Sequence, residues 1–110
     1  MRPNLQAIQI LAARGDNLRA ATPAQVRAVA IGLDQLLVPV LGKVSTQERR
    51  AWRIKFLNCL FGSAAIRYGG CITTAKNLSF PEAWSLIEWL HSDHAYGDLC
   101  VWVDEKGEVQ

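Results

Sequence analysis

Ser79-Phe80-Pro81-Glu82-Ala83-Trp84-Ser85-Leu86-Ile87-Glu88-Trp89-Leu90 is the stretch on which the fold turns. A serine followed three residues later by glutamate is a capping box: the hydroxyl accepts from an unpaired amide of the first turn, and the carboxylate reaches back to the serine amide. Pro81 falls in that first turn, where a missing amide hydrogen costs nothing. Leu78 and Ala83 occupy the positions of a hydrophobic staple. Ala83, Leu86, Ile87 and Leu90 then recur at spacings of three and four, so a helix with one buried stripe is predicted.

The same signal appears twice more upstream. Thr22-Pro23-Ala24-Gln25 combines a capping box with proline at the first helical position, and Val26, Val29, Ala30, Leu33 and Leu37 follow at helical spacing. Pro39 is expected to stop that helix, because it lacks an amide hydrogen and crowds the preceding turn. Ser45-Thr46-Gln47-Glu48 opens a third helix running to about Phe61, with Gly62 available as its cap. Trp52, Phe56, Cys59 and Leu60 form its stripe, but Ile54, Leu57 and Phe61 lie around the rest, which predicts a central helix. Leu5, Ile8 and Leu11 place a further helix over about Asn4 to Arg14, ended by Gly15.

Two segments read as β. Ile66 to Thr74 carries Gly69-Gly70 and fits either a two-residue hairpin or a helix end followed by a glycine loop. Leu99-Cys100-Val101-Trp102-Val103 reads as a strand, with Asp104-Glu105-Lys106-Gly107 as the turn after it. The expected fold is mainly α: about four helices in one small bundle-like domain over residues 1–110, with a short C-terminal β-strand or hairpin.

The chain has 110 residues, half of them apolar and a fifth charged, which excludes disorder and collagen-like or low-complexity sequence. The longest uninterrupted apolar run, Leu36 to Leu41, is far short of the roughly 20 residues that cross a bilayer, and no secretion signal is apparent. A cytoplasmic protein with no membrane partner is expected. Cys59, Cys71 and Cys100 are odd in number and widely spaced, so reduced and mostly buried thiols are expected rather than disulfides.

Charge is unevenly spread. Residues 1–77 hold eleven of the twelve lysines and arginines against three acids, whereas residues 78–110 hold Lys106 against seven acids. Such polarity suits a polyanion or an acidic protein surface, or two faces that neutralise each other on folding. Lys43, Arg49, Arg50, Arg53 and Lys55 surround the start of the third helix. Its unpaired amides already favour an anion, and Trp52 could stack on a base. This cluster is the candidate nucleic-acid or anion site. The eight-residue connection Val38–Ser45 is too long for a helix-turn-helix.

All nine aromatics lie between Trp52 and Trp102. Trp84 falls off the buried stripe of its helix and Trp102 sits on the expected edge strand, so both are candidate protein-interface anchors. His91, His94 and Cys100 are the weak candidates for a metal, although their spacing matches no zinc signature and no metal is expected. No nucleophile elbow, phosphate loop, dinucleotide fingerprint or zinc-protease motif is present, so neither a catalytic residue nor a cofactor is expected.

The run from Ala75 to Leu90, with Lys76, Leu78, Ser79, Glu82, Ala83, Leu86, Ile87 and Leu90, resembles a C-terminal helix of Mu-type phage regulatory proteins and of phage single-strand annealing proteins. Arg49 to Gly62 is similar to the basic-apolar helix that precedes it there. Pro81, the glycine-rich segment between the helices and the acidic C-terminal tail depart from that pattern. The resemblance implies a mobile-element protein acting near DNA and carries over no catalytic residue. The expected function is a small non-enzymatic module that contacts nucleic acid, or a nucleic-acid-bound complex, through its basic helix start. The alternative is a protein-binding adaptor or inhibitor, as a homodimer, using Trp84 and Trp102.

Overall fold

The computed structural model describes residues 5–13, 19–61 and 72–108, and side chains within 8–12, 19–61 and 72–106. Five α-helices occur there: α1 (Leu5–Ala13), α2 (Pro23–Leu41), α3 (Thr46–Phe61), α4 (Phe80–Leu90) and α5 (Ala95–Glu108), with a 3-10 turn at Ala75–Asn77 before α4. The radius of gyration, 13.1 Å, is that of a compact chain of this length.

Two of the three capping boxes read from the sequence close fully, and the third forms its serine half. Thr22 Oγ1 accepts from the Gln25 amide at 3.1 Å and Gln25 Oε1 accepts from the Thr22 amide at 3.0 Å. Ser79 and Glu82 reciprocate in the same way at the start of α4, both side chains being buried. Ser45 Oγ accepts from the Glu48 amide at 3.0 Å ahead of α3.

A backbone stitch joins the starts of α2 and α4. Phe80 donates to the Arg19 carbonyl at 2.7 Å, Ala21 donates to the Leu78 carbonyl at 3.1 Å, and Ala20 pairs with Ser79 in an isolated antiparallel bridge. Ten residues further along each helix, Gly32 lies so close to Leu90 that an added Cβ would stand 2.7 Å from a Leu90 methyl. The two helices therefore run side by side in the same direction. From α2, Val29, Leu33 and Leu37 enter a core that also takes Phe56, Leu57 and Leu60 of α3, Leu86 and Trp89 of α4, and Leu99 and Trp102 of α5.

Two expectations are overturned. The run 99–103 is not a strand: it lies in α5, and Asp104–Gly107 continue that helix rather than turning. Ala95, Leu99 and Trp102, spaced four and three apart, are all buried, so one helical face enters the core. That burial outweighs the few tenths of a kcal/mol by which Val101 and Val103 disfavour helix. Nor does Pro39 stop α2, which continues to Leu41 and ends at Gly42 with φ +75°. In the last turn the missing amide leaves only the Gln35 carbonyl without its helical donor, and the pyrrolidine ring lies exposed.

Of the proposed 66–74 hairpin, residues 66–71 lie outside the described residues. Ile72 is not in a strand; its amide and carbonyl are held by the Asn58 side chain at 2.8 and 2.7 Å. Gly15 and Gly62, read as helix caps, also lie outside.

Candidate functional site

The five cations around the start of α3 are divided between two sides of the helix, with Arg50 and Lys55 lining one open pocket together with Ala51, Ile54 and Thr73. Arg49 and Arg53 are one turn apart on the inward-leaning face; Lys55 projects from the opposite face, and Arg50 sits exposed between them. Arg53 Nη1 meets Asp34 Oδ1 of α2 at 2.7 Å, and the two side chains are 17% and 35% exposed. The Nε atoms of Arg49 and Arg53 are buried without a partner. Lys43 and Arg50 are exposed and carry no ion pair among the described residues. Trp52 is partly covered: Lys55 Nζ stands 4.7 Å over its ring, and its ring and that of Trp102 meet in a T-shaped contact with centroids 5.7 Å apart.

The tryptophans divide. Trp102, expected on an exposed edge, is only 2% exposed; it meets Phe56 edge-on at 5.0 Å, and its indole N–H donates to Cys59 Sγ at 3.3 Å. The helical register of α5 turns this residue inward, which removes it as an interface anchor. Trp89 is also buried, stacked on Phe56. Trp84 is 56% exposed, as its place off the buried stripe predicts.

The thiols are less buried than expected. Cys59 is exposed on the outer side of α3 and Cys100 is partly exposed, both free, while Cys71 lies outside the described residues. Cys100 lies within hydrogen-bonding reach of Tyr96 one turn earlier on α5. That hydrogen bond, the charge the thiol can carry, and partial desolvation raise the Tyr96 phenol above its ordinary value of 10.0. His94 Nδ1 lies 2.8 Å from Asp98 Oδ2, which also accepts from the Trp89 indole N–H at 2.9 Å. His91 is exposed one turn before it on another side. Among the described residues no three His, Cys, Asp or Glu side chains gather where they could hold a metal ion.

The feature that sequence reasoning missed is the outer side of α2. The helix is 19 residues long with a mean hydropathy of 1.4, long and apolar enough by length and composition to cross a membrane, yet only 17% of that window is buried. Counting uninterrupted apolar residues concealed this, because Arg27 and Asp34 break the run. Ala24, Ala28, Ile31 and Val38 face outward, with Ile31 and Val38 each about half exposed. Beside them α4 turns out Trp84 and, one turn on, the half-buried Ile87. Between the two helices lies an open groove of about 450 Å³, floored by Gly32, Leu36 and Leu90 and flanked by Ile31 and Ile87. Gly32 allows the close approach that forms the floor. The sequence did hold a signal: Ala24, Ala28, Ile31, Gln35 and Val38 make a second, nearly uncharged helical stripe beside the buried one.

No family model, curated protein or solved structure matches this chain.

Proposed function

We propose that this chain is a small, non-enzymatic protein-interaction module, an adaptor whose working surface is the α2–α4 groove with Trp84 on its rim. One observation carries this reading: the outer stripe of α2 is apolar and solvent-exposed next to a groove, with Ile31 and Val38 each about half exposed and Trp84 of α4 exposed beside them. Contiguous exposed apolar surface with an aromatic at its border is what protein interfaces use, and burying Ile31 and Trp84 alone would contribute several kcal/mol at about 25 cal/mol per Å². The test is capture by Ile31→Glu and Trp84→Ala variants against the parent chain, with far-UV circular dichroism confirming the same helix content. The reading requires a stoichiometric protein partner that both variants lose; identical capture by all three would refute it.

A second reading, contact with nucleic acid, is favoured by Lys43 and Arg50, which are exposed and free of carboxylate partners among the described residues. Pairing of Arg53 with Asp34 and the Lys55 ammonium over Trp52 withdraw two members of that cluster from a ligand, leaving Lys43, Arg50 and Lys55 for phosphate contact. A relationship to mobile-element proteins would fit this reading. However, of the residues that carry the phage resemblance, Leu78, Ser79, Glu82, Ala83 and Leu86 are buried in packing or capping within this fold. Binding to duplex or single-stranded DNA that weakens steeply with salt, and is lost on Lys43→Glu with Arg50→Glu, would favour it over the adaptor; salt-independent binding would exclude it.

A further inference from the structure

Arg27 and Glu88 are both exposed, and neither has an ion pair among the described residues. Their positions around the groove are related. Moving outward from the groove floor, α2 presents Ala28, then Ala24 and Ile31, and Arg27 at its far rim. At about 100° per residue, α4 presents Leu90, then Ile87, then the exposed His91 and Trp84, and Glu88 at its far edge, where it lines a second pocket with Ile8 and Leu11 of α1. The α2–α4 face thus carries a cation at one edge and an anion at the other, with His91 in the groove between them.

We infer that the occupant of this groove is a second copy of the same chain, packed about a two-fold axis parallel to α2 and α4; this rests on the adaptor reading above. Rotation about such an axis exchanges the two sides of the face while keeping height along it. It lays α2 of one copy on α4 of the other and brings each Arg27 opposite the partner copy's Glu88. The height also agrees: Arg27 lies five residues before Gly32 and Glu88 two before Leu90, and Gly32 and Leu90 meet between the two helices. The remaining offset of three residues, about 4.5 Å along a helix, is within reach of an arginine and a glutamate. An axis perpendicular to the helices would instead lay α2 on α2 and α4 on α4, which keeps Arg27 and Glu88 at opposite edges and leaves them unpaired. The contact is self-complementary, as an isologous dimer requires. About 28 Å of α2 beside about 16 Å of α4, each about 10 Å wide, gives a face on the order of 450 Å². Doubled, this stands near the lower limit of specific interfaces, so a reversible dimer with a dissociation constant of order tens of micromolar is expected.

Sedimentation equilibrium of the full chain from about 5 μM to 1 mM tests this. The parent chain should pass from monomer to dimer across that range. Arg27→Glu and Glu88→Arg should each weaken the dimer about tenfold, since every dimer then holds two like-charge contacts. An equimolar mixture of the two variants should form a heterodimer, and the double variant should recover the parent constant, because both arrangements restore opposite charges. Ile31→Glu should be monomeric throughout. A parent chain that stays monomeric to 1 mM overturns the inference, as does a dimer indifferent to the charge exchanges or a mixture that fails to recover. A monomer that still captures another protein through Ile31 and Trp84 would overturn the second-copy inference alone; a monomer with no Ile31-dependent capture would overturn the adaptor reading with it.

Discussion

Replacing Trp102 with alanine should remove about 4 kcal/mol of folding stability. The indole is 2% exposed, and a buried tryptophan removes roughly 150–250 Å² from water, worth about 4–6 kcal/mol at 25 cal/mol per Å². Edge-on contacts with Phe56 and Trp52 add about 0.5–1.5 kcal/mol each, whereas relaxation around the cavity and a compact unfolded state subtract from the total. The balance falls within the 3–5 kcal/mol typical of large aromatic truncations. With a urea slope of about 1.5 kcal/mol per M, the unfolding midpoint followed by far-UV circular dichroism should fall by roughly 2–3 M. Trp102→Phe keeps an aromatic against Phe56 and should lose about half as much. A midpoint shift below about 0.5 M for the alanine variant would refute the reasoning, since a tryptophan worth so little lies on a surface, as an edge strand would place it.

Three further outcomes follow from local geometry. Pro39→Ala returns an amide donor to the Gln35 carbonyl and removes a helix breaker from an exposed site, so it should raise stability by about 1–2 kcal/mol in the same urea experiment. Asp34→Ala leaves the mostly buried Arg53 guanidinium without its carboxylate and should cost about 1–3 kcal/mol, while Asp34→Leu combined with Arg53→Met should cost less than the two single changes together, measured as a double-mutant cycle. The Tyr96 phenol keeps its proton to higher pH in the folded chain than in the unfolded one, so the stability it contributes is intact below about pH 10 and is lost as pH rises beyond that value. Phenolate absorbance should show one tyrosine titrating late, and Cys100→Ala should bring it back toward its ordinary range.

The helix starts were legible because capping is chemistry local to four residues: Thr22 with Gln25 and Ser79 with Glu82 need nothing from the rest of the chain. The state of 99–103 was not local. Leu99 and Trp102 fit a helical stripe, while Leu-Cys-Val-Trp-Val also fits a short buried strand, and a five-residue apolar run does not separate the two. The helix prevails because Phe56 and Trp52 offer a surface for Trp102, information held forty-odd residues away. Division of the basic cluster, by contrast, could have been read from phase alone, since Arg49 and Arg53 are one turn apart and Lys55 falls on the far side of the same helix. Pairing of Arg53 with Asp34 could not, because it depends on how α2 and α3 cross.

The stitch between residues 19–21 and 78–80 makes two distant helix origins mechanically one. Fraying at the first turn of α4 must tug on the first turn of α2, so the amides of Gln25 and Glu82 should exchange their hydrogens in a single opening event with a shared free energy. A change that unravels either cap would then be felt at both, although more than fifty residues of chain separate them.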